Sequence, residues 1–275
     1  MYSKIMILCS LMASILFLLP HRNTQAESLK LNINLSDSTY YVCQSIWLDV
    51  ELINTGEDSV RVRGLLFPGD WQFHIVVTDG IGDTLRLVLH KEFGEGRGII
   101  LKPGEVYYKC FDLTEAYANY DQYLTSSFSE FARSLAPGDY KVSAWYRHGG
   151  EKLITSELPF SVVEPAGKEK QALSLFAEAY RDFDRKDYDS QRQKLECLID
   201  DFSTSRYVER AIFRLFKYDQ LLKKHPDSGY TLNALIHATA DMDNMKKKQF
   251  LQTIAEKYTG SRAARLAETF ILGLQ

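Results

Sequence analysis

Between Leu29 and about Val163, apolar and polar residues alternate in short runs separated by turn-forming clusters. The clearest run is Ile46 to Leu52. Its period of two puts Ile46, Leu48, Val50 and Leu52 on one face and Trp47, Asp49 and Glu51 on the other, the signature of a half-buried strand. Asn54-Thr55-Gly56-Glu57-Asp58 closes it as a polar turn. Further strands are predicted near Ser59 to Phe67, Trp71 to Thr78, Thr84 to His90, Val106 to Leu113, Tyr140 to Arg147 and Leu153 to Val163. The turns between them include Asp79-Gly80-Ile81-Gly82-Asp83, Lys102-Pro103-Gly104-Glu105 and Ala136-Pro137-Gly138-Asp139. About eight strands at this spacing predict an antiparallel sandwich. Glu115 to Leu135, rich in Tyr and Ser, interrupts the pattern as an insertion with a short helix around Ser127 to Ser134.

At Glu164-Pro165-Ala166-Gly167 the periodicity changes, which marks a domain boundary. Beyond it apolar residues recur at helical spacing: Ala172, Phe176, Ala179, Tyr180, Phe183, then Leu195, Leu198, Ile199, Phe202, and onward in the same manner to Phe270 and Ile271. About six helices are predicted. The expected fold class is therefore two-domain, all-β over residues 27–164 and all-α over residues 168–275. Three joints in the helical half share one pattern, an aromatic or His, then Ser three residues on, then Ala six further. They are Phe202/Ser205/Ala211, His225/Ser228/Ala234 and Tyr258/Ser261/Ala267. In each, Ser is expected to cap the next helix and Ala to let neighbouring helices approach.

The N-terminus changes the setting. Lys4 precedes an apolar run from Ile5 to Leu19 that Pro20 ends, and Thr24-Gln25-Ala26 supplies a small-residue cleavage site, so residues 1–26 read as a signal peptide. The mature chain is then expected to be exported, periplasmic or secreted, with no membrane span after cleavage; retention as an anchor is the alternative. Export permits disulfides. Of the cysteines left, Cys43, Cys110 and Cys197, only Cys43 and Cys110 fall in one predicted domain and form the candidate pair, while Cys197 reads as a buried free thiol on a helix. Charge is uneven. Residues 27–167 carry 12 Lys/Arg against 20 Asp/Glu, and residues 168–275 carry 19 against 16, so the halves are suited to attract each other across an interface. Neither is basic enough for nucleic acid, and Lys246-Lys247-Lys248 reads as a solvated helix face.

Residues 29–163 resemble the immunoglobulin-like sandwich modules of exported bacterial proteins, on the strand and turn of Ile46 to Gly56 and the Pro137-Gly138-Asp139-Tyr140 corner. The resemblance implies that Tyr140 packs its ring inside and returns its hydroxyl to nearby backbone. Residues 168–275 resemble the tetratricopeptide-like helical repeats of bacterial envelope assembly and scaffold proteins, on His225-Pro226-Asp227-Ser228, on Asp187-Tyr188, and on the 33-residue spacing of Ser228 and Ser261. The 23 residues from Ser205 to Ser228 depart from that pattern and fit one long helix.

Candidate chemistry is sparse. His74, His90, His148, His225 and His237 lie on five different elements without metal-ligand spacing. Gly94-Glu95-Gly96-Arg97-Gly98 leads into a strand rather than a helix, so it lacks the N-terminus that makes a phosphate loop. Asp241-Met242-Asp243-Asn244 lacks the remaining positions of a calcium loop. Carboxylate pairs such as Asp49 with Glu51 read as solvated. Trp47 and Trp145 are the candidate binding residues, since both face outward from their strands, where tryptophan anchors interfaces or stacks on sugars; packing of one of them against the helical domain is the alternative. In a sandwich they fall in opposite sheets and make no single site. No cofactor, metal or catalytic residue is called for. The expected function is a non-catalytic binding or scaffold protein of the bacterial cell envelope that meets a protein partner on a concave face near the helices starting at Ser205, Ser228 and Ser261. The alternative is a carbohydrate- or small-ligand-binding sandwich module with the helices as a dock.

Overall fold

The computed structural model describes residues 28–64, 71–85, 98–117 and 134–274. Residues 1–26, where a signal peptide is expected, His90, the Gly94 to Arg97 segment and most of the Tyr- and Ser-rich insertion lie outside the described residues. Among the described residues ten strands come first: β1 (Leu29–Leu35), β2 (Thr39–Tyr41), β3 (Trp47–Asn54), β4 (Val60–Arg63), β5 (Phe73–Asp79), β6 (Gly98–Leu101), β7 (Val106–Asp112), β8 (Gly138–His148), β9 (Glu151–Ile154) and β10 (Leu158–Val163). A short helix α1 (Leu113–Tyr117) follows β7 directly. Seven helices complete the chain: α2 (Gly167–Asp184), α3 (Tyr188–Asp201), α4 (Val208–Arg214), α5 (Tyr218–Lys224), α6 (Thr231–Thr239), α7 (Asn244–Lys257) and α8 (Arg262–Leu272).

The strands form a three-stranded antiparallel sheet β1-β3-β7, a sheet β2-β10-β8-β5 with β9 added beside β8, and a pair β4-β6. β2 runs parallel to β10, whereas the other named pairs are antiparallel. The period of two in β3 holds: Leu48, Val50 and Leu52 are fully buried between the sheets. Asn54 explains the turn that ends β3, because its amide nitrogen donates to the carbonyls of Asp58 and Leu101, both at 2.8 Å, while its Oδ1 accepts from the Gly56 amide at 3.0 Å. Tyr140 stacks on Phe160 at 5.4 Å and donates to the Ala136 carbonyl at 2.7 Å.

The division into an all-β and an all-α domain does not hold. The chain is mixed α/β, the larger sheet curls into a half-barrel, and neither an immunoglobulin-like sandwich nor a tetratricopeptide-like array describes it. One hydrophobic core runs from Leu29 and Val50 through Tyr108 and Cys110 to Tyr230, Leu235 and Ala267 without a break. The physical reason lies on β3 and β7. Their second face, which alternation assigns to solvent, is covered by the chain's own helices, so the two halves share an interior.

The helical half departs from the predicted repeat as well. Ser205 to Ser228 holds two seven-residue helices, α4 and α5, broken at Phe216, whose φ is +55°. Helix lengths run 18, 14, 7, 7, 9, 14 and 11 residues, which excludes a regular superhelix. The joints are nonetheless alike. At each of the three, the Ser amide donates to the carbonyl of the aromatic or His three residues earlier. Ser261 caps α8 by accepting from the Ala264 amide at 3.2 Å, while Ser205 and Ser228 accept from the amides of Tyr207 and Tyr230 one residue before their helices begin.

Candidate functional site

The N-terminal ends of α4, α6 and α8 meet the strand half at the β2-β3 loop and the outer face of β3 and β7. The face expected to receive a partner near Ser205, Ser228 and Ser261 is therefore occupied by the chain's own strands. Tyr207 donates to the Val42 carbonyl at 2.8 Å, and Tyr230 shares a 2.6 Å hydrogen bond with Ser45. Thr269 of α8 accepts from the Tyr108 amide at 2.9 Å. Ion pairs join the acidic strand half to the basic helical half: Asp37 with Arg206, and Asp49 and Glu51 with Arg262 and Arg265.

Asp49 is the centre of that attraction and is only 3% exposed, which corrects its reading as a solvated carboxylate. Arg262 binds it in two-pronged fashion, Nε to Oδ1 at 2.7 Å and Nη2 to Oδ2 at 3.1 Å. Arg265 adds Nη2 to Oδ2 at 3.1 Å and reaches Glu51 with Nη1 at 3.2 Å, and Tyr108 donates its hydroxyl to Oδ1 at 2.5 Å. Such bidentate guanidinium–carboxylate pairs are strong and directional. Burial works against the charge on Arg262, yet the hydrogen bonds and charge of Asp49 outweigh it and hold the guanidinium above its ordinary pKa. Burial raises the Tyr108 hydroxyl, and the neighbouring Cys110 and Asp49 raise it further. These groups are locked by one another and serve as an internal clamp.

Beside the clamp a cleft of about 240 Å³ opens between the β2-β3 loop and the starts of α4 and α6. Trp47 and Tyr230 form an aromatic wall, edge to face with centroids 4.9 Å apart. Gly229 also sits against Trp47, so closely that a Cβ there would fall 2.0 Å from the ring. Trp47 thus packs against the helical half, the second of its two predicted roles. Arg210 is 4% exposed, donates to the Cys43 carbonyl at 3.2 Å, and lies 5.8 and 6.0 Å from the ring centres of Phe176 and Tyr180. Arg206 pairs with Asp37 at 2.8 Å.

Trp145 lies on the outer face of the larger sheet, far in the topology from Trp47, as expected for opposite sheets. β5 and β9 flank β8 on its two sides at this point. His74 of β5 stacks on the indole at 4.3 Å and 14°, and the Lys152 ammonium of β9 lies 4.3 Å from its ring centre. A sugar ring would have to displace one of these neighbours to stack there. Cys43 and Cys110 are both buried free thiols rather than a bridge, and burial pushes them up to about 11 and about 12. Cys43 holds a left-handed φ of +62° in the β2-β3 loop, while Cys110 points its thiol at the Gly229 carbonyl, 3.8 Å away. Cys197 is half-buried, not buried, and donates to Asp201 at 3.0 Å.

A feature that alternation could not reveal stands at the far end of α4. Phe213-Arg214-Leu215-Phe216-Lys217-Tyr218 and Phe183-Asp184-Arg185-Lys186-Asp187-Tyr188 end α4 and α2 with the same hydrogen bonds, Phe216 to Phe213 and Lys217 to Ile212 matching Lys186 to Phe183 and Asp187 to Asp182. Phe216 and Lys186 take the left-handed position, at φ +55° and +62°, where glycine is the usual residue. Phe216 is 73% exposed and meets Tyr218 at 6.1 Å; Tyr218 in turn meets His237 at 4.7 Å. Ile236 and Met245, on α6 and at the start of α7, are exposed too. The two segments share only the Phe at their start and the Tyr five residues on, and nothing in them marks the left-handed backbone between.

Among the described residues, no group of His, Cys, Asp and Glu is arranged to hold a metal ion, and no helix is long and apolar enough to cross a membrane. No family model matches the chain, and no curated protein does. Solved structures similar to it include a β-glucosidase from Erythrobacter marinus, at 14% identity over 50% of this chain and 15% of that one, TM-score 0.28. The alkylpurine DNA glycosylase AlkC from Pseudomonas fluorescens matches at 12% identity over 49% and 30%, TM-score 0.27. The sporulation control protein Spo0M from Bacillus subtilis matches at 11% identity over 57% and 56%, TM-score 0.27. This chain spans only part of the length of each, and at these TM-scores the likeness carries no argument about fold or activity.

Proposed function

We propose that this chain is an exported, non-catalytic binding protein of the bacterial cell envelope that grips a protein partner at the outer ends of its helix pairs. The observation that supports this reading is Phe216. A bulky side chain at a left-handed φ costs about 1–2 kcal/mol, and a ring that is 73% exposed and touches Tyr218 edge-on recovers only part of that within the chain. An exposed aromatic at a helix joint, with Tyr218 beside it, has the character of an interface hot spot. The export signal at residues 1–26 sets the compartment in which that partner is sought.

Phe216→Gly tests the reading cleanly, because glycine relieves the strain while removing the ring. The variant is expected to be more stable than the parent by about 1 kcal/mol in urea unfolding and to lose capture of the partner in crosslinking pull-downs from the native envelope or secreted fraction. Equal capture by parent and variant would sink the proposal, because the folded scaffold is preserved in both.

A further inference from the structure

The outer face of the larger sheet carries two like charges side by side. Arg147 of β8 and Lys152 of β9 stand directly opposite each other in the register of the two strands, and both are exposed. Side chains so placed on one face of an antiparallel pair lie about 5 Å apart, so two cations there repel each other and cost stability. Among the described residues neither is paired with an acid, whereas Lys141, further along β8, meets Glu157 at 3.2 Å. Both cations lie instead against Trp145, the Lys152 ammonium 4.3 Å and the Arg147 guanidinium 5.8 Å from the ring centre. The indole orients them and supplies no counter-charge. Ile154, directly opposite Trp145 in β9, is 67% exposed on the same face.

We propose that this face docks an acidic segment of a protein partner, which sets a carboxylate between Arg147 and Lys152 and an apolar side chain on Ile154. A guanidinium and an ammonium at neighbouring positions offer charged donors to both oxygens of one carboxylate. Ile154 favours a polypeptide over a sugar, because a sugar brings no aliphatic side chain to bury there. His74 and Lys152 also lie on Trp145 where a sugar ring would have to stack. An anionic membrane fits less well for a different reason. Residues 27–167 carry 20 Asp/Glu against 12 Lys/Arg, and a bilayer surface meets that charge over a wide area, while a short segment feels only the charges within about 8 Å at physiological salt. Phe216, in the helical half, takes no part in this patch, so the two docking sites are tested independently.

Calorimetric titration of the chain from Glu27 to Gln275 tests this, with a short blocked peptide alternating Glu and Leu, its Gln-Leu and Glu-Ser counterparts, and vesicles of phosphatidylglycerol and phosphatidylcholine as probes. The Glu-Leu peptide is expected to bind, less tightly as salt is raised. The Gln-Leu peptide is expected to bind at least about tenfold more weakly, for want of charge-assisted hydrogen bonds, and the Glu-Ser peptide several-fold more weakly. Arg147→Glu removes the guanidinium and places an acid opposite Lys152, so it is expected to abolish binding while the urea midpoint stays unchanged or rises. Lys152→Gln, at an exposed position, is expected to weaken binding and serves as the second variant. No binding of the Glu-Leu peptide at millimolar concentration, equal binding of the Glu-Leu and Gln-Leu peptides, or binding unchanged in both variants overturns the proposal. A lowered midpoint in Arg147→Glu with peptide binding retained would make the pair structural, and attachment to the vesicles without peptide binding would assign the patch to a lipid surface; either result overturns it as well.

Discussion

Two residues show how local chemistry is set by what lies across the interface. Gly229 has no turn to make that requires glycine; it is small because the Trp47 ring occupies the space where a Cβ would stand, 2.0 Å from Cδ2. Gly229→Ala is expected to cost about 1–3 kcal/mol or more through overpacking, read as a lower urea midpoint at an unchanged slope. Lys109 lies on the inward face of β7, where its ammonium sits 5.0 Å from the Phe111 ring and burial pulls its pKa down to about 8. Between pH 8 and the ordinary value near 10.5 the unfolded chain holds a proton that the folded chain has released, so stability rises with pH through that window. The opposite sign applies to Cys43 and Cys110. Their thiols stay protonated in the fold above the ordinary thiol value of 9.0, so stability falls with pH beyond it. Unfolding measured from pH 8 to 9 is expected to show a gain of up to about 1 kcal/mol, and Lys109→Met is expected to flatten it.

At the scale of elements, β3 and α8 carry the junction. Alternation along β3 correctly separated Leu48, Val50 and Leu52 from Trp47, Asp49 and Glu51, but it could not say that α8 would cover the second set. The helical period of α8 likewise buries Ala263, Leu266 and Ala267 while Arg262, also buried, reaches back to Asp49. Asp49→Ala is expected to cost about 3–5 kcal/mol, because it strands a buried guanidinium. Replacing both partners, with Leu at 49 and Met at 262, is expected to restore most of that loss in urea unfolding. Equal losses in the single and double variants would show that packing, not the unpaired charge, dominates. The paired joints ending α2 and α4 were legible only as a recurring Phe and Tyr five residues apart. Their left-handed centre arises from hydrogen bonds that a one-dimensional pattern does not contain.

For the whole molecule the decisive fact is the continuity of the core. A chain ending at Pro165 would expose Trp47, Tyr108 and Cys110 together with Asp49 stripped of its arginines, so it is expected to be poorly soluble and to bind a hydrophobic dye, while the chain from Glu27 to Gln275 is expected to unfold in a single transition by circular dichroism and fluorescence alike. An independently folded fragment, or two separated transitions, would refute the shared core. What the sequence by itself determined is local: the two periodicities, the change near Pro165, the turns, the Ser joints, and the opposite signs of the halves. These are legible because strand and helix each bury residues at a fixed interval, and because charge is additive along a chain. What only the tertiary structure decided is which polar or aromatic face is covered and by what. Asp49, Trp47 and the helix starts at Ser205, Ser228 and Ser261 all read as surface in one dimension. They become interior because the partner that covers each of them is about 160 to 220 residues away in the same chain, a contact that no local pattern encodes.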